Sequence, residues 1–514
     1  MRRFFTFLFF VVTVLAARAT DYNVPITVIV NGESSEQTGV ITIVENNGMY
    51  DLTMKNFILQ NGDTQIGVGN VELKNIKPYQ DGDATLLLAN RTITVTPGDN
   101  PNVGFWMADI LPPVPVELRG KIEGDHLRCF IDIDMMESLQ QVIQVAIGSG
   151  YQLPNQSFEA WHTSTDGYVE PNGWHSFESA SGSIASLAGH HIEKATDEAN
   201  VHSGKASARI YATAIFNIVA NGTMTTGRMN AGSMSATDKE NNAYLDTSKT
   251  DVDGNGDPFY IPQYSRPDSV AVWVKFKQGK ATADHPYATI SAAITDGTYY
   301  QDPENKTYTN VVAKAKNNKI ATTGDKWVRI SAPFVYTKNT VEPQAILITI
   351  STNADAGQGS ENDEVLVDDI ALVYNAKVTS LKIKGQNVAG FSPEKNEYEM
   401  ELNGVITADD IELTVDGKAT NKVKTVEVEY DNDNQPTGYY LCTATAIGAD
   451  MSAMSTYVVK VKSNATAISN LPAATANRPI AFFMLDGRQV KTLNPGNIYI
   501  IRQADGSFVK IRNN

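Results

Sequence analysis

Apolar and polar residues alternate along most of the chain, which is the period-two pattern of half-buried β-strands. Between residues 20 and 150, β-branched runs are separated by Asn31-Gly32, Asn47-Gly48 and Asn61-Gly62. Asn-Gly accommodates the positive φ angles of tight hairpins, so this spacing predicts an antiparallel meander. Because a long meander must close into a barrel or pack as a sandwich to remove its free edges, we predict a β-barrel domain over residues 20–150.

The same pattern predicts three further β units. Residues 151–375 form the longest, and residues 376–462 form a smaller one with an alternating strand near Tyr398. Residues 463–478 are rich in Ala, Asn, Ser and Thr, which is typical of a linker. Residues 479–514 contain short apolar runs separated by Asp-Gly and Pro-Gly turns, which predict a small β tail. The fold class is therefore expected to be all-β and multidomain.

The N-terminus has the pattern of a secretory signal peptide. Arg2 and Arg3 precede the apolar run from Phe4 to Ala17, and small residues stand at Ala17 and Ala19. We predict a signal peptide over residues 1–19, cleaved after Ala19. The run is short for a membrane span, which needs about 20 residues, although an uncleaved anchor is the alternative. No second long apolar run follows, so we expect no transmembrane segment.

Composition narrows the classes of partner. The 514 residues include 58 acidic and 42 basic side chains, for a formal net charge of −16. This excess of negative charge argues against nucleic acid or an anionic membrane as the main partner. Two cysteines, Cys129 and Cys442, are too few for a disulfide-dense scaffold, and we expect both to be buried and unpaired.

The first domain carries motifs of a known family. Tyr50-Asp51-Leu52, Lys55-Asn56-Phe57, Gly69-Asn70-Val71 and Leu118-Arg119-Gly120-Lys121-Ile122 resemble the calycin-like β-barrel domain of secreted Bacteroidetes proteins. The resemblance implies a barrel over nearly the whole segment. Barrels of this class can hold a small apolar ligand, and a barrel filled by its own side chains is the alternative.

The second domain resembles jelly-roll carbohydrate-binding modules. It opens with Asn155-Gln156-Ser157-Phe158-Glu159, continues with Gly173-Trp174 and Ser203-Gly204-Lys205, and closes with Asp368-Asp369 in a strand. It is still more similar to the "putative carbohydrate metabolism domain" of Bacteroidetes proteins. The resemblance implies a jelly-roll β-sandwich and a function with carbohydrate, the fold more securely than the activity.

The C-terminal units resemble accessory modules. Residues 376–462 look like cadherin-like or immunoglobulin-like sandwiches that serve as spacers. The Asp486-Gly487-Arg488 and Pro495-Gly496 motifs of the tail resemble C-terminal sorting domains of the type IX secretion system. Together with the signal peptide, this resemblance implies a location at the cell surface, associated with the outer membrane, or in the periplasm.

Two groups of acidic residues predict calcium. The first is a loop with oxygen side chains at alternate positions and Gly256 at the sixth, as in calcium loops, namely Asp251, Asp253, Asn255 and Asp257. Pro262 replaces the expected glutamate at the twelfth position, so a solvated acidic turn stays open as an alternative. The second group follows from the jelly-roll resemblance, which implies a structural calcium shared by Glu159 and Asp368, with Asp369 as substitute. Surface acids or pairing with Lys205 is the alternative there.

Aromatic residues of the middle domain predict a glycan site. Sugars dock their C–H faces on exposed aromatic rings, and the candidates are Trp161, Trp174, Tyr299 and Tyr300. No Gly-x-Ser-x-Gly elbow, His-Glu-x-x-His or phosphate-binding loop occurs, so no catalytic residue is assigned. We therefore predict a non-catalytic glycan-binding protein. The alternatives are a carbohydrate-active hydrolase, since paired carboxylates cannot be recognised from sequence, and a structural or adhesive surface protein.

Overall fold

The structure is a computed structural model that describes residues 18–61, 64–163, 167–215, 218–337, 340–431 and 436–463, and then 479–484, 489–490, 498–503 and 508–512. The predicted signal peptide, apart from its last two residues, and the predicted linker from residue 464 onward lie outside these residues. Within the described ranges, no helix has the length and apolar character needed to cross a membrane. Both cysteines are buried and free, as predicted.

The chain divides into two compact units. The first extends to Lys377 and also includes Val415–Lys422 and Ala446–Ser455. The second comprises Val378–Thr414, Val423–Thr445 and the chain from Thr456 onward.

The first unit begins with a nine-stranded antiparallel sheet that curves into a half-barrel, here called the barrel. Along this sheet the strands run in the order β4-β3-β2-β1-β9-β8-β7-β6-β5. A four-residue helix α1 (Met136–Leu139) precedes the last strand, and a 3-10 turn (Met107–Asp109) follows the sixth. The strands are β1 (Arg18–Val30), β2 (Glu33–Asn46), β3 (Met49–Asn61), β4 (Thr64–Ile76), β5 (Pro78–Asp81), β6 (Ala84–Ile93), β7 (Val114–Glu123), β8 (His126–Met135) and β9 (Gln141–Ile147).

Gly69 allows the segment that connects β6 to β7 to pack against the edge of β4. Asn70 exchanges two backbone hydrogen bonds with Thr96 across this contact, at 2.7 and 3.2 Å. A Cβ atom on Gly69 would lie 2.4 Å from the Thr96 carbonyl oxygen, and its φ of +130° also disfavours a side chain. The close approach therefore requires glycine at this position of β4.

The middle domain is a β-sandwich of two antiparallel sheets, in agreement with the predicted fold class. The sheet orders are β12-β13-β27-β20-β24 and β16-β26-β21-β23-β25, with β19 paired to β26, and smaller sheets are β10-β11, β14-β15 and β17-β18-β22. The 3-10 turns are Phe177–Ser179, Ala185–Leu187 and Glu198–Asn200. The strands are β10 (Trp161–Thr163), β11 (Val169–Pro171), β12 (Ile192–Ala195), β13 (Ser207–Tyr211), β14 (Thr213–Ile215), β15 (Ile218–Ala220), β16 (Thr223–Thr225), β17 (Arg228–Ala231), β18 (Asn241–Leu245), β19 (Ile261–Pro262), β20 (Ser269–Lys277), β21 (Ala288–Thr295), β22 (Tyr300–Asp302), β23 (Val311–Ile320), β24 (Val328–Pro333), β25 (Val335–Tyr336), β26 (Ala345–Ser351) and β27 (Glu364–Val373).

Alternation along the strands gives the six-stranded sheet two buried regions. Ile346, Ile348 and Ile350 of β26 face the five-stranded sheet and enter the main core. Ala345 and Leu347 face the other way and pack under the small sheet β17-β18-β22. That small sheet covers only part of the outer face, so the remainder of the face is left open to a ligand.

The second unit contains the smaller sandwich and the tail. The sandwich sheets are β29-β28-β31 and β30-β34-β33-β32, in which β30 and β34 run parallel, and the tail sheet is β36-β35-β37-β38. One 3-10 turn spans Ala408–Asp410. The strands are β28 (Val378–Ile383), β29 (Gln386–Asn387), β30 (Glu397–Leu402), β31 (Ile411–Val415), β32 (Thr420–Tyr430), β33 (Pro436–Gly448), β34 (Met454–Ser463), β35 (Pro479–Met484), β36 (Gln489–Val490), β37 (Ile498–Gln503) and β38 (Phe508–Arg512).

Two buried arginines on the outer surface of the barrel join it to the rest of the first unit. Arg119 Nε donates to the Met451 carbonyl at 2.7 Å, and Arg128 Nε donates to the Asp450 carbonyl at 2.9 Å. The Arg128 guanidinium also lies 5.8 Å from the centre of the Tyr151 ring. Because a buried cation needs partners, these contacts explain why arginine can face a covered surface.

Candidate functional site

The open part of the six-stranded sheet presents a row of hydroxyl groups, here called the hydroxyl face. It consists of Thr223 on β16, Thr289 and Ser291 on β21, and Thr349 and Ser351 on β26. The strand register places Ser351 between Thr223 and Thr289, and Thr349 beside Ser291. These are the positions that continue the outward-facing alternation of Ala345 and Leu347, so the face changes from apolar to polar where the small sheet ends.

The hydroxyl face is the floor of a cleft with a volume of about 450 Å³. This is within the range of roughly 300–1,000 Å³ that small-molecule sites occupy. Leu187, Ile218 and Met234 contribute apolar wall and are 48, 40 and 43% exposed. Asp302 adds a carboxylate that accepts a 2.6 Å hydrogen bond from Ser291 Oγ. The cleft thus combines an apolar wall with a polar floor.

Three residues that line the cleft each carry a buried side-chain polar atom that has no hydrogen-bond partner among the described residues. These atoms are Asn221 Oδ1, Asn242 Oδ1 and Thr289 Oγ1. The two amide groups are held in place because Asn242 Nδ2 donates to the Lys239 carbonyl at 2.9 Å and Asn221 Nδ2 donates to the Asp355 carbonyl at 3.1 Å. A buried polar atom without a partner costs about 1–3 kcal/mol.

A second cavity lies inside the barrel and has a volume of about 690 Å³. Most of its wall is formed by aliphatic side chains, such as Val71, Ile133 and Val145. Glu159 and Lys205 of the middle domain contribute polar groups to its lining. A barrel filled by its own side chains, the alternative considered from the sequence, does not describe this interior.

The predicted aromatic platforms divide into exposed and buried rings. Tyr299 is 38% exposed and stands beside Tyr244, with ring centres 5.6 Å apart. Trp161 is partly buried and donates from Nε1 to the Phe158 carbonyl at 2.6 Å. Trp174 is fully buried and Tyr300 is 3% exposed, so neither ring has a face for a sugar. The structure corrects the prediction at these two positions, because packing against the core covers both rings.

The carboxylates predicted to share a calcium ion hold the loop of residues 202–206 through backbone amides. Glu159 Oε1 accepts from Lys205 N at 2.8 Å, and Asp368 Oδ2 accepts from His202 N at 2.9 Å. Burial, reinforced by the charge of Asp369, raises the pKa of the Asp368 carboxyl to about 7. Within the described ranges, these three acids do not come together as a cluster of ligand atoms. A calcium ion here stays a prediction.

The acidic side chains of the predicted calcium loop contact different partners. Asp251 Oδ2 accepts a 2.6 Å hydrogen bond from Arg228 and points away from the other acids. Asp253 and Asp257 instead lie beside His162, and Asn255 Nδ2 donates to Asp257 Oδ2 at 2.9 Å. Sequence spacing identified the two carboxylates but gave no signal for the histidine, which lies about 90 positions earlier in the chain.

The fold is that of a multidomain β-protein with a cavity in the barrel and a cleft in the middle domain. Residues 19–147 match the calycin-like beta-barrel domain family, which confirms the resemblance stated for the first domain. The chain is similar to a crystal structure of a "putative glycoside hydrolase" from Bacteroides thetaiotaomicron, at 12% identity and a TM-score of 0.30, over 68% of this chain and 84% of that one. No curated protein matches. A likeness at this level carries no argument about function.

Proposed function

We propose that the middle domain binds a glycan in the cleft above the hydroxyl face, without catalysing its turnover. The observation that carries the proposal is the set of unpartnered polar atoms on Asn221, Asn242 and Thr289, which line one cleft. Glycans present many hydroxyl groups that both donate and accept, together with apolar C–H faces. The polar floor and the apolar wall of the cleft match these two properties.

The proposal moves the sugar site away from the aromatic residues suggested by the sequence. Sugar C–H groups would lie against Leu187, Ile218 and Met234 rather than against a tryptophan ring. Hydroxyl groups would donate to the Asn221 and Asn242 side-chain oxygens, while Asp302 and the serine and threonine hydroxyls provide further partners. Tyr299 is the exposed aromatic residue that could extend recognition beyond the cleft.

A glycan array probed with the full-length protein tests the proposal. We expect binding to a defined set of glycans, and we expect Ser291→Trp to abolish it by filling the cleft. The matched control is Val335→Trp on β25 of the same sheet, where Val335 is 65% exposed and does not line the cleft. Equal binding by both variants would place the sugar elsewhere. Absence of binding to every glycan would favour a structural or adhesive role, and release of reducing sugar from a bound glycan would favour a hydrolase.

The barrel cavity supports a second candidate function, the binding of a small apolar molecule. Its aliphatic lining and its volume of about 690 Å³ are the supporting observation. The fluorescent probe N-phenyl-1-naphthylamine should bind the full-length protein with a blue-shifted, enhanced emission. Ile133→Trp should weaken that binding by more than about tenfold, because each 1.4 kcal/mol of lost contact is tenfold in affinity.

The control for the barrel is Val40→Trp, since Val40 is 52% exposed on β2 and does not line the cavity. A probe that binds both variants equally would not occupy the barrel.

We also propose that the protein acts at the cell surface or in the periplasm, on the basis of the N-terminal sequence pattern. N-terminal sequencing of the native protein should begin at Thr20, and a chain that begins at Met1 would contradict this location.

A further inference from the structure

The loop that contains Asp253 and Asp257 faces two histidines of the middle domain. His162 Nε2 lies 3.5 Å from Asp253 Oδ2, and His175 Nε2 lies 3.4 Å from the same oxygen. His162, Asp253 and Asp257 offer ligand atoms that all lie within 4.8 Å of one another. Two ligands bound about 2.0–2.1 Å from a tetrahedral ion lie roughly 3.3 Å apart, so the two imidazole–carboxylate distances suit a shared metal ion.

Hydrogen bonds orient the Asp253 and Asp257 carboxylates. Among the described residues, none of them involves Asp253 Oδ2, the atom that faces the histidines. Asp253 Oδ1 accepts from Asn255 N and Asp257 N, each at 2.9 Å. Asp253 Oδ2 is buried and has no hydrogen-bond partner in the part of the chain that the structure describes. Asp257 Oδ2 accepts from Gly173 N at 2.8 Å, which attaches this carboxylate to the segment that precedes His175. Supporting contacts of this kind are typical around metal ligands.

The buried ring of His175 provides an independent observation in favour of a bound cation. His175 is 0% exposed, and neither of its ring nitrogens has a hydrogen-bond partner among the described residues. Its backbone is held by two hydrogen bonds to Thr225, at 2.7 and 2.8 Å, so the ring is attached to the rigid sandwich. A buried imidazole without a hydrogen bond is costly, and binding a cation through one nitrogen would remove part of that cost.

The tautomer of His162 also favours a cation beside Asp253. Its Nδ1 lies 3.1 Å from Asn172 Oδ1, an atom that can only accept, so Nδ1 carries the proton. In this tautomer of the neutral ring, the lone pair of Nε2 points towards the Asp253 carboxylate. A proton on Nε2 or a metal ion between the two atoms removes the repulsion between them. A metal-bound histidine whose other nitrogen donates to an oxygen is the usual arrangement in metal sites.

We propose that His162, Asp253 and Asp257 bind a divalent transition-metal ion of the zinc class, and that His175, which lies beside this cluster, turns its ring towards the ion as the fourth donor. Imidazole nitrogen is a preferred ligand of zinc and its neighbours, whereas calcium and magnesium select oxygen. Four protein donors leave no open position, so the ion has a structural role. It joins β10, the segment that ends at His175, and the loop of residues 251–257.

Cobalt titration of the metal-stripped full-length protein tests this site. We expect one Co²⁺ per chain with the visible absorption of tetrahedral coordination, displaced by Zn²⁺ and not by millimolar Ca²⁺. His162→Gln and Asp253→Asn should each weaken binding by more than about 100-fold, since even partners outside the coordination shell contribute 10–100-fold. His175→Asn should weaken it and change the absorption. Circular dichroism verifies that each variant is folded.

The controls separate this site from the calcium loop suggested by the sequence. Asp251→Asn removes the first position of that loop but only a contact to Arg228 in the structure, and His285→Ala removes a partner of Asp355. Both should bind Co²⁺ like the wild type. The proposal is overturned if Ca²⁺ binds in preference to Co²⁺ and Asp251→Asn abolishes its binding. It is also overturned if the folded His162 and Asp253 variants bind Co²⁺ like the wild type, or if no ion binds.

Discussion

The barrel cavity and the cleft of the middle domain each lie against one face of an antiparallel sheet, but their linings differ. Aliphatic side chains such as Val71 and Ile133 form most of the barrel lining, whereas the cleft combines an apolar wall with a floor of threonine, serine and asparagine. Both linings follow the same two-residue alternation along the strands. The same strand geometry therefore gives a mostly apolar or a partly polar lining, depending on which residues the strands place on that face.

The barrel cavity and the cleft also differ in what each loses in free energy when no ligand is bound. An empty apolar cavity loses dispersion contacts, while a buried polar atom without a partner loses a hydrogen bond. The aliphatic part of the barrel lining therefore discriminates ligands by shape and apolar area. The cleft can discriminate by the position of each hydroxyl group, because Asn221 and Asn242 are held by their own side-chain hydrogen bonds.

The largest expected effect tests whether the two regions are supported by separate cores. Trp174 belongs to the main core of the middle domain, and a different cluster of buried side chains forms the core of the barrel. Trp174→Ala should lower the free energy of unfolding of the middle domain by about 3–5 kcal/mol. In scanning calorimetry the middle-domain transition should move while probe binding in the barrel persists below it. Loss of both at one temperature would show a single cooperative core.

A smaller expected effect is a pH dependence of the free energy of unfolding, which should also be confined to the middle domain. The pKa of Asp368 is raised to about 7 by burial and by Asp369, from an ordinary value of 3.8. Between these values the unfolded chain releases a proton that the folded protein retains. The contribution of Asp368 to stability is therefore fully present below about pH 4 and is lost as pH rises through about 7, by an amount on the order of 4 kcal/mol.

Urea unfolding at a series of pH values measures this effect as the difference between the wild type and Asp368→Asn. We expect the wild type to lose stability relative to the variant as pH rises, and parallel curves would contradict the raised pKa. Millimolar Ca²⁺ should remove the difference if Asp368 and Glu159 share an ion, because a bound cation stabilises the carboxylate. A Ca²⁺-independent difference would argue against that ion.

The sequence predicted the barrel well because the decisive signals are local. Asn31-Gly32 and Asn47-Gly48 connect β1 to β2 and β2 to β3, with positive φ at all four residues. The cleft was missed because its residues come from strands far apart in the chain, and isolated threonines such as Thr289 resemble any outward-facing strand position. Trp174 was misassigned for the same reason, since burial is a property of the assembled sandwich.

The most direct measurement of the central claim compares two threonine-to-valine variants. Thr289 Oγ1 has no partner within the described residues, whereas Thr225 Oγ1 donates to the Ile348 carbonyl at 2.8 Å and does not line the cleft. Thr289→Val should leave the unliganded protein as stable or about 1 kcal/mol more stable, because the shape is kept and an unpaired polar atom is removed.

Calorimetric titration of a glycan identified on the array completes this comparison. Thr289→Val should weaken binding by about tenfold, which corresponds to one lost hydrogen bond of roughly 1.4 kcal/mol. Thr225→Val should instead destabilise the protein by about 1–3 kcal/mol and bind the glycan like the wild type. If Thr289→Val destabilises the unliganded protein and leaves glycan affinity unchanged, the cleft is not the binding site.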